Sequence, residues 1–220
     1  MADPNYTHIA FILDRSGSME TIADDMNGGI RTILKDEAKR SAQEGKLVLV
    51  DVTLFDYEVL HTQQSVSIEA ADATIVPRGQ TALYDAVGKT LVSLNRRLNH
   101  ELPEEERPSR VLVIIVTDGL DNASTEWSAG SVAVLVEKAT RRHRWDFLFL
   151  AANIDAHEVG ESIGMSADGT IGFHPNKAGV RTVEHSIVGS IRGTWLDTPE
   201  SAIHPAKTPT DPETTPEAPN

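Results

Sequence analysis

The chain contains no cysteine, which excludes disulfides, a thiolate zinc site and a cysteine nucleophile. Such a composition is compatible with a reducing compartment, and the cytoplasm is the expected location. No apolar run approaches the ~18–20 residues that a membrane helix needs, so no membrane association is expected. The opening MADPNYT lacks the basic-then-apolar pattern of a secretion signal. Positive charge is also scarce. Lys and Arg number 20 against 33 Asp and Glu, a net charge of −13, and an acidic surface repels nucleic-acid phosphate. Two enzyme signatures are missing as well: nothing fits a P-loop or a Gly-x-Ser-x-Gly nucleophile elbow.

What is present is an alternation. With 220 residues and 40% apolar content, the chain is long enough for one sizeable core without staples. Strand-length apolar runs occur at His8–Leu13, Lys46–Phe55, Val111–Val116 and Phe147–Ala152, with a short one near Thr170–Phe173. They are nearly continuous in Val, Ile and Leu, as parallel strands covered on both faces should be. Helical stripes lie between them. Ile22, Met26, Ile30, Leu34 and Ala38 form one, and Leu83, Ala86, Val87, Leu91, Leu94 and Leu98 a second. Val132, Leu135, Val136 and Ala139 make a third, and Val180, Val183, Ile187, Val188 and Ile191 a fourth. A shorter helix is expected around Ala156–Ile163, and the segment Tyr57–Ile75 supplies an edge strand or hairpin.

This alternation predicts an α/β fold with a mostly parallel sheet, occupying residues 1–196. The remainder, 197–220, is rich in Pro, Thr and acid with scarcely any apolar content, and is expected to be a flexible tail. In sheets of this kind ligands bind beyond the carboxyl ends of the strands, so the residues just after each strand are the ones to inspect.

After the first strand stands Asp14-Arg15-Ser16-Gly17-Ser18, and after the fourth Thr117-Asp118-Gly119. Between them the loop PRGQT ends at Thr81, just before a helix. Asp14, Ser16, Ser18, Thr81 and Asp118 thus offer two carboxylates and three hydroxyls. Magnesium prefers oxygen donors and keeps several waters; without Cys or His nearby, zinc and copper are disfavoured. Serine and aspartate are also common helix N-caps, which would account for the first loop alone but not for Thr81 or Asp118.

Asp-x-Ser-x-Ser, the separate Thr and Thr-Asp-Gly, in this order and at these places, resemble the metal-ion-dependent adhesion site of von Willebrand factor A domains. The resemblance covers Tyr6 to Ile191 and is with the bacterial, intracellular type. It implies a three-layer, Rossmann-like fold with one antiparallel edge strand and helices on both faces. It also implies that Ser16 and Ser18 bind magnesium directly, with manganese or calcium as substitutes. By the same resemblance Thr81 binds directly or through water, and Asp14 and Asp118 act largely through water and hydrogen bonds. One position is left for an Asp or Glu of a protein partner. The implied role is a magnesium-dependent adaptor or scaffold, monomeric by itself and not an enzyme.

Two rivals remain at this stage. One is a hydrolase or phosphatase-like α/β enzyme, although haloacid-dehalogenase phosphatases carry a second acid where this chain has Ser16. The other is a structural domain whose metal only orders the loops. Around the site, Arg15 reads as a solvated side chain or an attractor of the partner carboxylate. Asp85, one turn after Thr81, reads as a supporting residue or as plain helix surface. Asp121 and Asn122 read as an ordinary polar loop, and Glu104–Glu106 as a solvated one.

Overall fold

The computed structural model describes residues 2–152 and 154–193; the expected tail, 197–220, lies outside the described residues. Strand β1 runs over Asp3–Asp14, β2 over Leu47–Phe55, β3 over Val59–Ser67, β4 over Pro108–Thr117, β5 over Asp146–Ala152 and β6 over Thr170–Phe173. Helices α1 (Ala23–Glu44), α2 (Leu83–Asn95), α3 (Ala129–His143), α4 (Ala156–Ser162) and α5 (Lys177–Arg192) separate them. The sheet order is β3-β2-β1-β4-β5-β6, with β3 antiparallel to β2 and the other pairs parallel.

β1 lies between β2 and β4, and both its faces are covered. Ile9, Phe11 and Leu13 join one apolar core with residues of α1 and α5, whereas Ala10 and Ile12 join a second with α2, α3 and α4. That is the period-two alternation of a strand with every position buried, which explains its continuous apolar run. The strand begins earlier than His8 because pairing overrides polarity. Asp3 N–H donates to the Arg107 carbonyl at 2.9 Å, and Tyr6 pairs with Leu47. The segment 57–75 resolves into the edge strand β3, largely exposed, followed by a 3-10 turn at Ile68–Ala70. Buried Ile68 and Ile75 anchor it to the core.

The second stripe does not end with α2. A π-helical turn over Arg96–Glu101 continues it and keeps Leu98 buried. The two helices of one face, α1 and α5, are also tied by charge. Buried Glu37 of α1 accepts from Arg40 Nε and from Arg192 Nε of α5, each at 2.7 Å. No helix among the described residues is long and apolar enough to cross a membrane.

The order of strands has one functional consequence. The chain leaves β1 toward β2 on one side and returns to β4 on the other. Connections diverging to opposite sides open a crevice above the carboxyl ends of β1 and β4. Asp14 ends the first of these strands, and Asp118 follows the second.

Candidate metal centre

Asp14 is fully buried, and both its oxygens are engaged. Oδ1 accepts from the Ser16 N–H at 2.7 Å, and Oδ2 accepts from the Thr117 hydroxyl at 2.6 Å. Burial pushes the carboxyl up to about 6, against the pull of these hydrogen bonds toward lower values. A buried carboxylate in this position is stabilised by a cation.

The serines complete the first loop. Ser16 is buried and Ser18 exposed, with their hydroxyls 3.1 Å apart. Ser18 Oγ donates to Asp118 Oδ1 at 2.6 Å. Ser16 occupies the N-cap position of the 3-10 turn Gly17–Thr21, but its side chain makes no capping bond, and α1 starts only at Ala23. Capping therefore does not account for the hydroxyls.

Asp118 is almost completely buried, and its Oδ2 atom has no hydrogen-bond partner. Burial raises this carboxyl as well, while the Ser18 bond lowers it. Leaving a buried charged acceptor unmatched is costly.

Thr81 is buried. A Cβ added at Gly119 would lie 3.4 Å from the Thr81 hydroxyl, so this side chain meets the loop that carries Asp118. The backbone holds it there: Thr81 N–H donates to Asn122 Oδ1 at 2.9 Å, and its carbonyl accepts from the Asn122 and Ala123 N–H groups. The three strand-end loops thus converge.

Asn122 and Asp121 are more than an ordinary polar loop, and Asp85 is more than helix surface. Asp85 is buried and accepts from the N–H groups of Thr125, Glu126 and Trp127 at 3.1, 3.0 and 2.8 Å. Asp121 Oδ1 accepts from the Tyr84 N–H and the Ser124 hydroxyl. Trp127 packs on Gly88 of α2, where any Cβ would fall 2.3 Å from its ring. The loop after Asp118 is therefore bonded to the start of α2. Asp85 supports the loop, and the plain-surface reading is corrected.

Arg15 is corrected too. Its side chain is 11% exposed, and Nε lies 3.0 Å from Oδ2 of Asp56. The alignment is poor, since Nε and Nη2 are buried without a hydrogen bond. Asp56, fully buried just after β2, also accepts from Arg78 Nε at 2.6 Å and from the Glu58 N–H at 2.7 Å. Its carbonyl accepts from the Ala82 N–H. Backbone bonds from Arg78 N to the Arg15 carbonyl and from Gly17 N to the Gly79 carbonyl join the same loops. Sequence reasoning missed Asp56, although an acid directly after an apolar strand was a visible signal.

The donor set fits a hard cation. Among the described residues no group of three or more His, Cys, Asp or Glu is arranged to hold a metal. Here two carboxylates with three hydroxyls supply oxygen alone, and the unmatched Asp118 Oδ2 is the buried atom that needs positive charge. A cavity of about 560 Å³ lies elsewhere: Arg110 and Leu112 of β4 and Asp146 and Phe147 of β5 line it, at the strands' opposite ends.

No family model matches the chain, and no curated protein matches it in sequence. Solved structures do. Proximal thread matrix protein 1 from the mussel byssus, in a form described with a zinc-occupied MIDAS motif, superposes with a TM-score of 0.58 at 19% identity. That match covers 86% of this chain and 46% of the mussel protein. The PilB minor pilin of Streptococcus sanguinis gives 0.57 at 13% identity over 89% of this chain and 64% of the pilin. The ArnB paralog VWA2 of Sulfolobus acidocaldarius gives 0.51 at 14% identity, covering 82% and 44%. This chain thus spans less than two thirds of each. The likeness establishes the fold: a mostly parallel α/β sheet of the von Willebrand factor A type.

Proposed function

We propose that this chain is a magnesium-dependent protein-recognition domain, an adaptor rather than an enzyme, whose site takes an Asp or Glu of a protein partner. The observation that carries this reading is the buried, unpartnered Oδ2 of Asp118, whose Oδ1 accepts from the Ser18 hydroxyl, itself 3.1 Å from that of Ser16, with Thr81 beside Gly119 on the same loop. Ser16, Ser18 and Thr81 would hold the ion through neutral oxygens, and Asp14 and Asp118 would balance its charge from behind. A magnesium ion so held supplies an electrophilic point at which an incoming carboxylate completes an oxygen shell. Manganese and calcium accept the same donors.

One feature favours binding over turnover: the site's side chains are Asp, Ser and Thr, and among the described residues no histidine or lysine takes part in their hydrogen bonds. The cysteine-free composition supports a cytoplasmic setting, and the domain is taken to act as a monomer.

The test compares capture of acidic protein ligands by wild type and Thr81→Ala in magnesium and in chelator. Metal-dependent capture that Thr81→Ala loses while the fold survives is the expected result. Capture retained in full would place recognition elsewhere. Turnover of generic phosphate or ester substrates would favour the enzyme instead.

A further inference from the structure

The loops around the site carry more than oxygen donors. Tyr57, Val76 and Leu120 are 54%, 68% and 58% exposed, among the largest exposures of any apolar side chain in the fold. Single exposed apolar residues are ordinary; what distinguishes these is where they stand. Tyr57 follows Asp56, Leu120 follows Gly119, and Val76 lies two residues before Arg78, which bonds to the Arg15 carbonyl. All three therefore sit on the loops that build the site. Leu47, Leu60, Val92 and Val134, also exposed, lie at the start of β2, on β3, on α2 and on α3.

Tyr57 is held as a platform. Its ring lies over Gly79, where a Cβ would come within 2.6 Å of Cδ1, and Gly79 has φ of +72°. Only glycine meets both conditions without strain. The Arg78 guanidinium stands 5.5 Å from the ring centroid and is fixed from behind by Asp56 and Glu58, each at 2.6 Å. A pre-positioned aromatic ring loses little freedom on binding, which is why such residues anchor interfaces. Leu120 stands on the opposite flank, one residue beyond Gly119 and its contact with Thr81.

We infer that Tyr57 and Leu120 bracket the carboxylate position as specificity-determining contacts, so that the partner is a protein segment whose acidic residue is flanked on both sides by apolar side chains. Val76 extends the apolar rim on the Tyr57 side. The inference rests on the carboxylate reading of the site and adds the class of sequence that it selects. An isolated acid on a polar surface would leave Tyr57 and Leu120 uncovered and would bind poorly.

The probe is a displayed library of random peptides with one fixed central Glu, selected on the full chain in magnesium. Binding of the enriched peptides is then measured against wild type, Tyr57→Ser, Leu120→Ser and Thr81→Ala. The expected result is enrichment of Leu, Ile, Phe or Trp on both sides of the Glu. Each rim substitution should weaken binding by about ten-fold, while the rise in melting temperature with magnesium stays as in wild type. Metal-dependent capture with polar or unbiased flanks, or capture indifferent to Tyr57→Ser and Leu120→Ser, overturns the inference but leaves the carboxylate site standing. Capture that is absent, or that persists in chelator and in Thr81→Ala, overturns the carboxylate reading and the inference together.

Discussion

Ser18 and Asp118, one hundred residues apart in the chain, are joined by a 2.6 Å hydrogen bond from the serine hydroxyl to Oδ1. The bond leaves Oδ2 of the same carboxylate buried and unmatched. The first loop thus orients the second carboxylate and leaves one of its oxygens to be satisfied.

Magnesium or manganese should therefore stabilise the protein. At about 100 times Kd a ligand specific to the folded state contributes about 2.7 kcal/mol, or roughly 5–10 °C in Tm for a domain of this size. Asp14→Ala and Asp118→Ala should abolish the rise. Protons compete with the metal as pH falls toward the pKa of Asp14, whose carboxyl is pushed up to about 6 by burial. The rise should accordingly be larger near about pH 7.5 than near about pH 5.5. Differential scanning fluorimetry at the two pH values checks both points, and an undiminished rise in either variant would sink the site.

Asp56 holds Arg15 and Arg78 together behind the loops. Asp56→Asn keeps the shape but removes the counter-charge, leaving the Arg15 guanidinium buried without one. Metal affinity should fall by about ten-fold or more, as when other supports of a metal site are lost. Titration calorimetry with manganese measures it. Unchanged affinity would make Asp56 a structural anchor alone.

Asp85 gathers three N–H groups of the loop after Asp118. Asp85→Ala orphans them and should cost about 1–3 kcal/mol. Amide exchange at Thr125, Glu126 and Trp127 should accelerate selectively, with β1 unaffected. Uniform acceleration throughout the fold would mean that Asp85 serves global stability instead.

A separate network predicts the acid limb of stability. Buried Asp51 accepts from the Ser65 N–H at 2.7 Å, lies 3.1 Å from His8 Nε2 and pairs with Arg97 of the π-helical turn. Burial pushes its carboxyl up, but His8, Ser65 and Arg97 outweigh that and hold it below the ordinary 3.8. With the folded value depressed, the native state binds fewer protons than the unfolded chain. The contribution is fully present from about pH 5 upward and is lost as pH falls below about 4, through the folded value. The difference in urea midpoint between wild type and Asp51→Asn, which isolates this contribution, should stay level from about pH 7 to about pH 5 and then shrink. Asp51→Asn should start lower by about 3 kcal/mol, because His8 and Arg97 lose their partner, and should lack this part of the acid loss.

The sequence by itself determined the layers and which five oxygen-bearing side chains stand at element ends. Continuous apolar runs demand a strand covered twice, stripes at helical spacing demand helices between, and such alternation admits a mostly parallel sheet. Local patterning could therefore place Asp14, Ser16, Ser18, Thr81 and Asp118 at element ends. It could not show who supports them. Asp56 with Arg15, Asp85 with the 125–127 backbone, and Asn122 with Thr81 are pairings across tens of residues. Only the β3-β2-β1-β4-β5-β6 order brings those loops to one end of the sheet. Nor could composition distinguish a solvated Arg15 from one turned inward, because burial depends on what the neighbouring strand presents. Here an aspartate directly follows β2, and that carboxylate draws the arginine in.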